Sequence, residues 1–350
     1  SIEGRSLKLN SAADVQPFVD SINAIHGLTE IRLSGNTFGV EAARAIAAAL
    51  KDKHELRVIG FSDMFTGRLK DEIPLALDAF VEAFEDKVHL EVLDLSDNAF
   101  GPAGAKPLMK LLTNNRNIQI LRLNNNGLGI EGGRLISEAL VAAGDLNKKA
   151  STPSSLRVVV AGRNRLESKG AEYLSAAFRA HAETLREVRM PQNSIRPEGV
   201  TVLVEALATC SHLDTLDLQD NTFTQPGSEA LARSLPSWPG LRVLNVGDCL
   251  LSAPGGLAVI QALTEAHTNL ERLNLAFGEI DEAGAKIAAD MLANKSKLES
   301  IELNGNAFKA ESDVVQAIRD ALRVHGHADA LDELDEMDVE SEDEEEGEEE

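Results

Sequence analysis

Residues 118–129, IQILRLNNNGLG, contain the unit from which this chain is built. The stretch fits the pattern LxxLxLxxNxL, in which Leu121 and Leu123 alternate as the buried side of a short strand should. Asn126 follows where the backbone must turn, and a side-chain amide there can bond backbone groups that have no strand partner. Residues 132–142 then show helical periodicity. One strand and one helix cannot bury their apolar faces alone, so the unit predicts repeated neighbours.

The same frame recurs at regular intervals along the chain. Ten copies align on the position that follows the strand, which Asn126 occupies in the unit above. In order, these positions are 36, 64, 98, 126, 164, 193, 221, 249, 278 and 306. Seven of the nine steps are 28 or 29 residues long, and the other two are 34 and 38 residues. This period is typical of long leucine-rich repeats, which carry a full helix in each unit.

The repeats predict the fold class and the division of the chain. The motif LKLN at residues 7–10 looks like a truncated first copy, so we expect about 11 repeats. The fold class is α/β, a leucine-rich repeat horseshoe of the ribonuclease-inhibitor type, with a concave parallel sheet and convex helices. Residues 1–27 are expected to form an N-terminal cap and partial repeat, residues 28–328 the solenoid, and residues 329–350 a disordered acidic tail.

Composition and charge limit the function classes. The chain of 350 residues is 43% hydrophobic and has a formal net charge of −23. Residues 331–350 contribute 14 Asp or Glu and no Lys or Arg. We expect this run to be a solvating extension or to attract a basic partner. No apolar run reaches membrane-spanning length, no signal peptide is visible, and no basic patch with interleaved aromatics predicts nucleic-acid binding.

Catalytic chemistry is not predicted. The cysteines Cys210 and Cys249 have no CxxC or metal spacing, which favours a reducing compartment, and both are interpreted as packed thiols. No histidine lies at a catalytic spacing from a cysteine or carboxylate, and the sequence contains neither a P-loop nor a zinc motif. Strand residues on the concave face, such as Arg32, Asp94 and Arg122, are of mixed sign. This mixture favours a protein partner with mixed charge of its own.

Two repeats are longer than the others. The first has Met64 at the frame position and extra residues within 64–74, MFTGRLKDEIP. We interpret this polar insertion, which contains Arg68 and Lys70, as functional; the alternative is a tolerated loop with solvated charges. The second has the sequence GDLNKKASTPSS at residues 144–155, which predicts a surface loop.

Several motifs resemble a single family. They are SIEGRSLKL (1–9), FTGRLKDEIP (65–74), LSDNAFGPAG (95–104), LNNNGLG (123–129), GRNRLE (162–167), QNSIRPEG (192–199), LDLQDNTFT (216–224) and LDELDEM (331–337). Together they resemble the Ran GTPase-activating proteins in their fungal form, over essentially the whole chain. FTGRLKDEIP is the specific motif, because LxxLxLxxN alone occurs in many repeat proteins.

The resemblance implies an activator of the nuclear transport GTPase Ran that is not itself an enzyme. Ran in its GTP form supplies GTP, Mg²⁺, the P-loop and the Gln that orients the attacking water, so no cofactor of this chain is implied. The family is similar in using no arginine finger. Its Asn at the position of Asn125 helps to fix that Gln, because an amide can donate and accept at once. Arg68 matches the family's important arginine, which implies binding and long-range electrostatics, and Lys70 is expected to assist docking.

Further residues on the rim where the strands end are expected to bind the partner. They are Ser96, Asp97, Asn124, Arg163 and Gln192. For Asn125 the alternative is a second turn amide beside Asn126. The resemblance also implies a monomer that is located in the cytoplasm, including the perinuclear region, and that serves nucleocytoplasmic transport. An accessory Ran-binding protein is a further implied partner, and no metal, nucleic acid or membrane is implied.

Other protein classes share some of these features. Histone-binding or regulatory leucine-rich proteins also couple such repeats to an acidic tail, although their repeats are shorter and fewer. Ribonuclease inhibitors are built on the same repeat but are rich in thiols, whereas this chain has two cysteines. A cysteine-dependent ligase would need Cys210 or Cys249 as its nucleophile.

Overall fold

The computed structural model describes residues 1–264 and 266–338, in which short strands alternate with longer helices. The strands are β1 (Lys8–Leu9), β2 (Glu30–Arg32), β3 (Thr37–Phe38), β4 (Val58–Gly60), β5 (Val92–Asp94), β6 (Ile120–Arg122), β7 (Val158–Val160), β8 (Glu187–Arg189), β9 (Thr215–Asp217), β10 (Val243–Asn245), β11 (Arg272–Asn274) and β12 (Ser300–Glu302). The helices are α1 (Ala12–Ala24), α2 (Val40–Leu50), α3 (Glu72–Phe84), α4 (Gly101–Asn114), α5 (Gly129–Lys149), α6 (Glu167–Ala180), α7 (Pro197–Leu207), α8 (Thr224–Ser234), α9 (Ala253–Thr264), α10 (Glu282–Leu292) and α11 (Asp313–Val324). None of the helices in this described part combines the length and hydrophobicity needed to span a membrane.

The chain packs into two compact units. The first contains residues 1–195 and 209–213, and the second contains residues 196–208 and those from 214 onward. In the first unit β2 and β4 to β8 pair in parallel, each with the next. In the second unit β9 to β12 pair in the same way. The buried central residues of these strands are in register, so the predicted leucine-rich repeat solenoid is confirmed.

Buried asparagines at the frame position hold successive coils of the first unit together. The Oδ1 of Asn164 accepts the backbone N–H of Asn126 at 2.9 Å, and the Oδ1 of Asn126 accepts that of Asn98, also at 2.9 Å. The Nδ2 of Asn164 donates to the carbonyls of Leu123 and Ala161, at 2.8 and 3.0 Å. Each such bond contributes about 1 kcal/mol, and leaving the buried backbone groups unpaired would cost more. The predicted role of the turn amide is confirmed.

The N-terminal residues cover the edge of the first unit. The N–H of Ile2 donates to the carbonyl of Arg32 at 3.0 Å, and that of Gly4 donates to Ser34 at 2.8 Å. The motif LKLN instead contains β1, which pairs with β3 and not with β2. The prediction that residues 7–10 are the truncated first copy is therefore wrong, because Ile2 and Gly4 already bond the carbonyls of Arg32 at the end of β2 and of Ser34 just after it.

The predicted surface loop at residues 144–155 is wrong for its first half. Helix α5 continues through residues 144–149 and ends at Lys149. Gly144 permits this continuation, because a Cβ there would lie 2.8 Å from the Cβ of Ala180 on α6. Lys148 and Lys149 lie in the last turn, where positive charge is favourable. The polar composition of residues 144–149 thus did not reveal the length of α5, because a helix that packs on one face can be polar on the other.

The beginning of the acidic segment is ordered, contrary to the prediction of a disordered tail from residue 329. The N–H of Ile301 donates to the carbonyl of Ala330 at 2.8 Å, and Leu331 is buried. The carboxylate of Asp332 accepts the N–H groups of Leu303 and Asn304, at 2.9 and 3.1 Å. The edge of β12 offers unpaired backbone groups to any extended chain, and residues 330–332 take them. Residues 339–350 of the predicted tail lie outside the described residues.

Candidate functional site

A row of side chains follows the ends of five strands of the first unit. This strand-exit row consists of Asp63, Asp97, Asn125, Arg163 and Gln192, each one residue before the frame position. All five residues have positive φ, between 48° and 60°. The backbone N–H of Asp97 donates to the carbonyl of Asn124 in the next coil at 2.8 Å, and neighbouring coils repeat this bond. The left-handed conformation favours Asn and Asp and turns the row outward from the core.

Asn125 and Asn126 are adjacent but differ completely in environment. Asn126 is fully buried, and its amide bonds the backbone of Leu95 and Asn98 in the neighbouring coil. Asn125 is exposed, and its Nδ2 donates to the Oδ1 of Asp97 at 3.0 Å. The buried side-chain bonds of the turn are therefore made by Asn126, and the alternative of a second turn amide has no backbone bond of the Asn125 side chain to support it. Asn125 is left with an amide oxygen that accepts no hydrogen bond within the described residues.

The other predicted rim residues divide into exposed and structural groups. Asp97, Arg163 and Gln192 are exposed on the strand-exit row, as predicted. Asn124 is half-buried, and its Oδ1 accepts the N–H of Gly162 at 2.6 Å, so this side chain holds two coils together. Ser96 is only 7% exposed. The prediction of Ser96 as a partner-binding residue is therefore corrected, because the left-handed turn begins one residue after it.

Arg68 lies in the insertion between β4 and α3, and residues 64–71 of this insertion are called the rim loop below. Its Nη1 donates to the Oδ1 of Asn10 at 2.7 Å, and its Nε donates to the Oγ1 of Thr37 at 2.8 Å. Its Nη2 donates to the carbonyls of Thr37 and Leu9, at 2.9 and 3.2 Å. The sequence predicts a guanidinium that docks a partner, whereas here it fastens the rim loop to β1 and β3.

The rim loop and the strand-exit row lie on the same edge of the first unit. The carbonyl of Met64 accepts the N–H of Phe38, and the N–H of Met64 donates to the Oδ1 of Asn98 at 2.7 Å. Asn98 is in turn bonded to Asn126, beside Asn125. At a spacing of roughly 4.8 Å between strands, the coils that carry β4 and β6 lie roughly 10 Å apart, so the base of the rim loop and Asn125 are close on this edge. A single docked protein can span this distance.

Charge on the edge is mixed, as the sequence predicts. The row contains the carboxylates of Asp63 and Asp97 and the guanidinium of Arg163. At the strand ends behind it, the Nη1 of Arg122 lies 4.0 Å from the Oδ2 of Asp94. Among residues 1–264 and 266–338 no group of His, Cys, Asp and Glu is placed to hold a metal ion. The edge is therefore suited to hydrogen bonding with a protein surface.

Leu69 is an exposed apolar residue of this edge that the sequence motifs did not single out. It lies in the rim loop beside Arg68, and 72% of its surface is exposed. The signal in the sequence is one apolar residue within the polar run TGRLKDE. Lys70, which was predicted to assist docking, is exposed next to it.

We expect both thiols to be inert in the folded protein. Cys210 and Cys249 are fully buried, and burial raises the pKa of Cys210 to about 11 and the pKa of Cys249 to about 12. Because the thiolate is the reactive form, a maleimide at pH 8 should label neither residue while it labels the urea-unfolded chain completely, as followed by mass spectrometry. Rapid labelling of the folded chain would contradict this burial and would favour the ligase interpretation.

Comparison with known proteins places these features in a family. The family model described as Leucine Rich repeat matches residues 87–109, 114–137 and 209–232. The chain is 37% identical over 329 residues to Ran GTPase-activating protein 1 of Saccharomyces cerevisiae, covering 91% of this chain and 81% of the yeast protein. The chain belongs to the Ran GTPase-activating protein family. The resemblance carried by its sequence motifs is thereby confirmed.

Other members of the Ran GTPase-activating protein family are longer. Ran GTPase-activating protein 1 of Xenopus laevis is 42% identical over 328 residues, which cover 93% of this chain but only 56% of the frog protein. The chain thus spans about half the length of that relative. The ribonuclease inhibitor of Sus scrofa is 23% identical over 297 residues, covering 85% of this chain and 56% of the inhibitor. The lower identity fits a shared repeat in a different class of protein.

Proposed function

We propose that this chain stimulates GTP hydrolysis by the GTPase Ran. The proposal rests on membership of the Ran GTPase-activating protein family, through the 37% identity to the yeast protein. Within the chain, the supporting observation is an exposed Asn125 beside the structural Asn126. The side chain of Asn125 bonds Asp97 and no backbone group of the described residues, so its amide oxygen is available to a partner. The first unit supplies this amide and the rim loop on one edge.

The chemistry of hydrolysis remains with the GTPase in this proposal. Ran provides the phosphate-binding loop, the Mg²⁺ and the Gln that orients the attacking water. Asn125 donates to and accepts from that Gln and holds its amide in the orientation that directs the water at the γ-phosphate. Asp97 restrains Asn125 through the bond at 3.0 Å, which reduces the conformational entropy lost on docking. The proposal uses no arginine finger, as the family resemblance implies, and the guanidinium of Arg68 is engaged within the chain.

The cellular setting follows from the same proposal. The partner is Ran in its GTP form, and GTP and Mg²⁺ are bound by Ran. The chain acts as a monomer in the cytoplasm, including the perinuclear region, and serves nucleocytoplasmic transport. An accessory Ran-binding protein is a second partner. Arg163, Gln192 and Lys70 are exposed on the same edge and contribute to docking.

GTP hydrolysis by purified Ran tests the function directly. Ran loaded with GTP is mixed with this chain at about one hundredth of the Ran concentration, and phosphate release is followed. Turnover of the whole Ran pool, far above the intrinsic rate, is the expected result. Hydrolysis at the intrinsic rate would reject the proposal, and inhibition of ribonuclease A in a parallel assay would favour the inhibitor class instead.

A further inference from the structure

The rim loop exposes an apolar side chain in an unusual way. Leu69 is 72% exposed, and among the described residues only Val324, at 76%, is a more exposed large hydrophobic residue. Covering a leucine side chain stabilises a complex through the hydrophobic effect. Elsewhere in the rim loop, Met64 and Phe65 are buried in the core. The loop therefore has apolar side chains to bury and nevertheless presents Leu69 to solvent.

The backbone around Leu69 is held in one conformation by local bonds. The N–H of Arg68 donates to the carbonyl of Phe65 at 2.9 Å, and the N–H of Glu72 donates to the carbonyl of Leu69 at 3.0 Å. The N–H of Leu69 donates to the carboxylate of Glu72 at 3.2 Å. Both backbone groups of Leu69 are thus satisfied within the loop. A rigid presentation lowers the entropy cost of binding.

The bonds of Arg68 fasten this loop to the rest of the unit. Its guanidinium makes four hydrogen bonds to Asn10, Leu9 and Thr37, residues that precede it by 58, 59 and 31 positions. These contacts reach β1 and β3, which belong to the N-terminal edge. Loss of the guanidinium would free the tip of the loop while Met64 and Phe65 remained buried at its base.

We propose that Leu69 is an apolar anchor for the docked GTPase and that Arg68 is its positioning residue. This inference rests on the proposed function. The complementary feature on the GTPase is a shallow apolar pocket bordered by a carboxylate, because the exposed Lys70 ammonium lies next to Leu69 in sequence. Leu69 and Asn125 are two contact points on one edge. The anchor sets how the GTPase is seated, and Asn125 acts on the reacting Gln.

Substitution of Leu69 tests the anchor. Leu69→Ser should raise KM for Ran about tenfold and leave kcat within about twofold, since the leucine binds but does not touch the reacting groups. The control is Val88→Ser, which alters a side chain that is 62% exposed beyond the other end of α3 and should leave both constants unchanged. Both variants should keep the wild-type unfolding midpoint. An unchanged KM for Leu69→Ser would overturn the anchor.

A double-mutant cycle tests the positioning role of Arg68. Arg68→Ala should raise KM about tenfold, and the pair Asn10→Ala with Thr37→Val should raise KM at least about threefold although Arg68 is present. The pair should have no further effect in the Arg68→Ala background, because the bonds it removes are already lost. A large effect of Arg68→Ala with none from the pair would mean that Arg68 contacts the GTPase itself, and would overturn the positioning role.

The tests separate this inference from the function on which it rests. A wild-type chain without effect on Ran hydrolysis would reject both. A fully active wild-type chain whose Leu69→Ser variant behaves like Val88→Ser would reject the anchor alone and leave the proposed function standing.

Discussion

Asn125→Ala is expected to slow GTP hydrolysis on bound Ran by about 100-fold, because a catalytic Gln that loses its fixed orientation loses most of its effect. The free energy of unfolding should fall by about 1 kcal/mol or less, a cost that reflects alanine in a left-handed conformation. Asn125 has φ of 52° and one side-chain bond, to Asp97. Single-turnover hydrolysis at saturating chain separates the rate from the affinity. A loss of affinity at an unchanged rate would contradict the role in positioning.

An isosteric variant sharpens this prediction. Asn125→Asp keeps the size of the side chain and an acceptor oxygen but removes both amide donors. It also places a second carboxylate beside Asp97, which lies at hydrogen-bonding distance from Asn125 in the wild type. We expect the rate to fall about as far as in Asn125→Ala. Retention of the wild-type rate would show that donation by Asn125 is not required.

Asn126→Ala, one residue further along the chain, should mainly lower the stability of the protein, whereas Asn125→Ala mainly slows hydrolysis. Its amide is fully buried, accepts the N–H of Asn98 at 2.9 Å and donates to the carbonyl of Leu95 at 2.9 Å. Alanine leaves a buried donor and acceptor unpaired, so we expect the free energy of unfolding to fall by about 2–4 kcal/mol. Urea denaturation followed by circular dichroism measures the loss, with Asn125→Ala as the matched control. A loss below about 1 kcal/mol would contradict the coil-joining role.

The fold could be predicted from the sequence because its elements are local and repeated. Leu121 and Leu123 are two residues apart, so both lie on the buried side of a strand. The repeated pattern predicts the same for the corresponding residues of the other strands. The end of α5 could not be predicted in the same way. Residues 144–149 are polar enough for a loop, and their helical state depends on packing of Gly144 against Ala180, which is 36 positions away.

The candidate site was predictable in position and less so in detail. The residue before the frame position lies at the turn in every coil, so Asn125, Arg163 and Gln192 were correctly placed on the exposed edge. Ser96 is buried although it lies directly before Asp97, the first left-handed residue of the turn, and the repeat period alone does not distinguish these two neighbouring positions. The guanidinium of Arg68 is bound by Asn10, which lies 58 positions earlier, and no local pattern reports such a contact.

The contact of Asp332 with the end of the second unit has a consequence for self-association. The open edge of a parallel sheet is a template for pairing with a strand of another molecule. Here the N–H groups of Leu303 and Asn304 are taken by a carboxylate, which offers no ladder to a further strand. Residues 330–332 thus leave these groups of the β12 edge unavailable to a strand of another molecule.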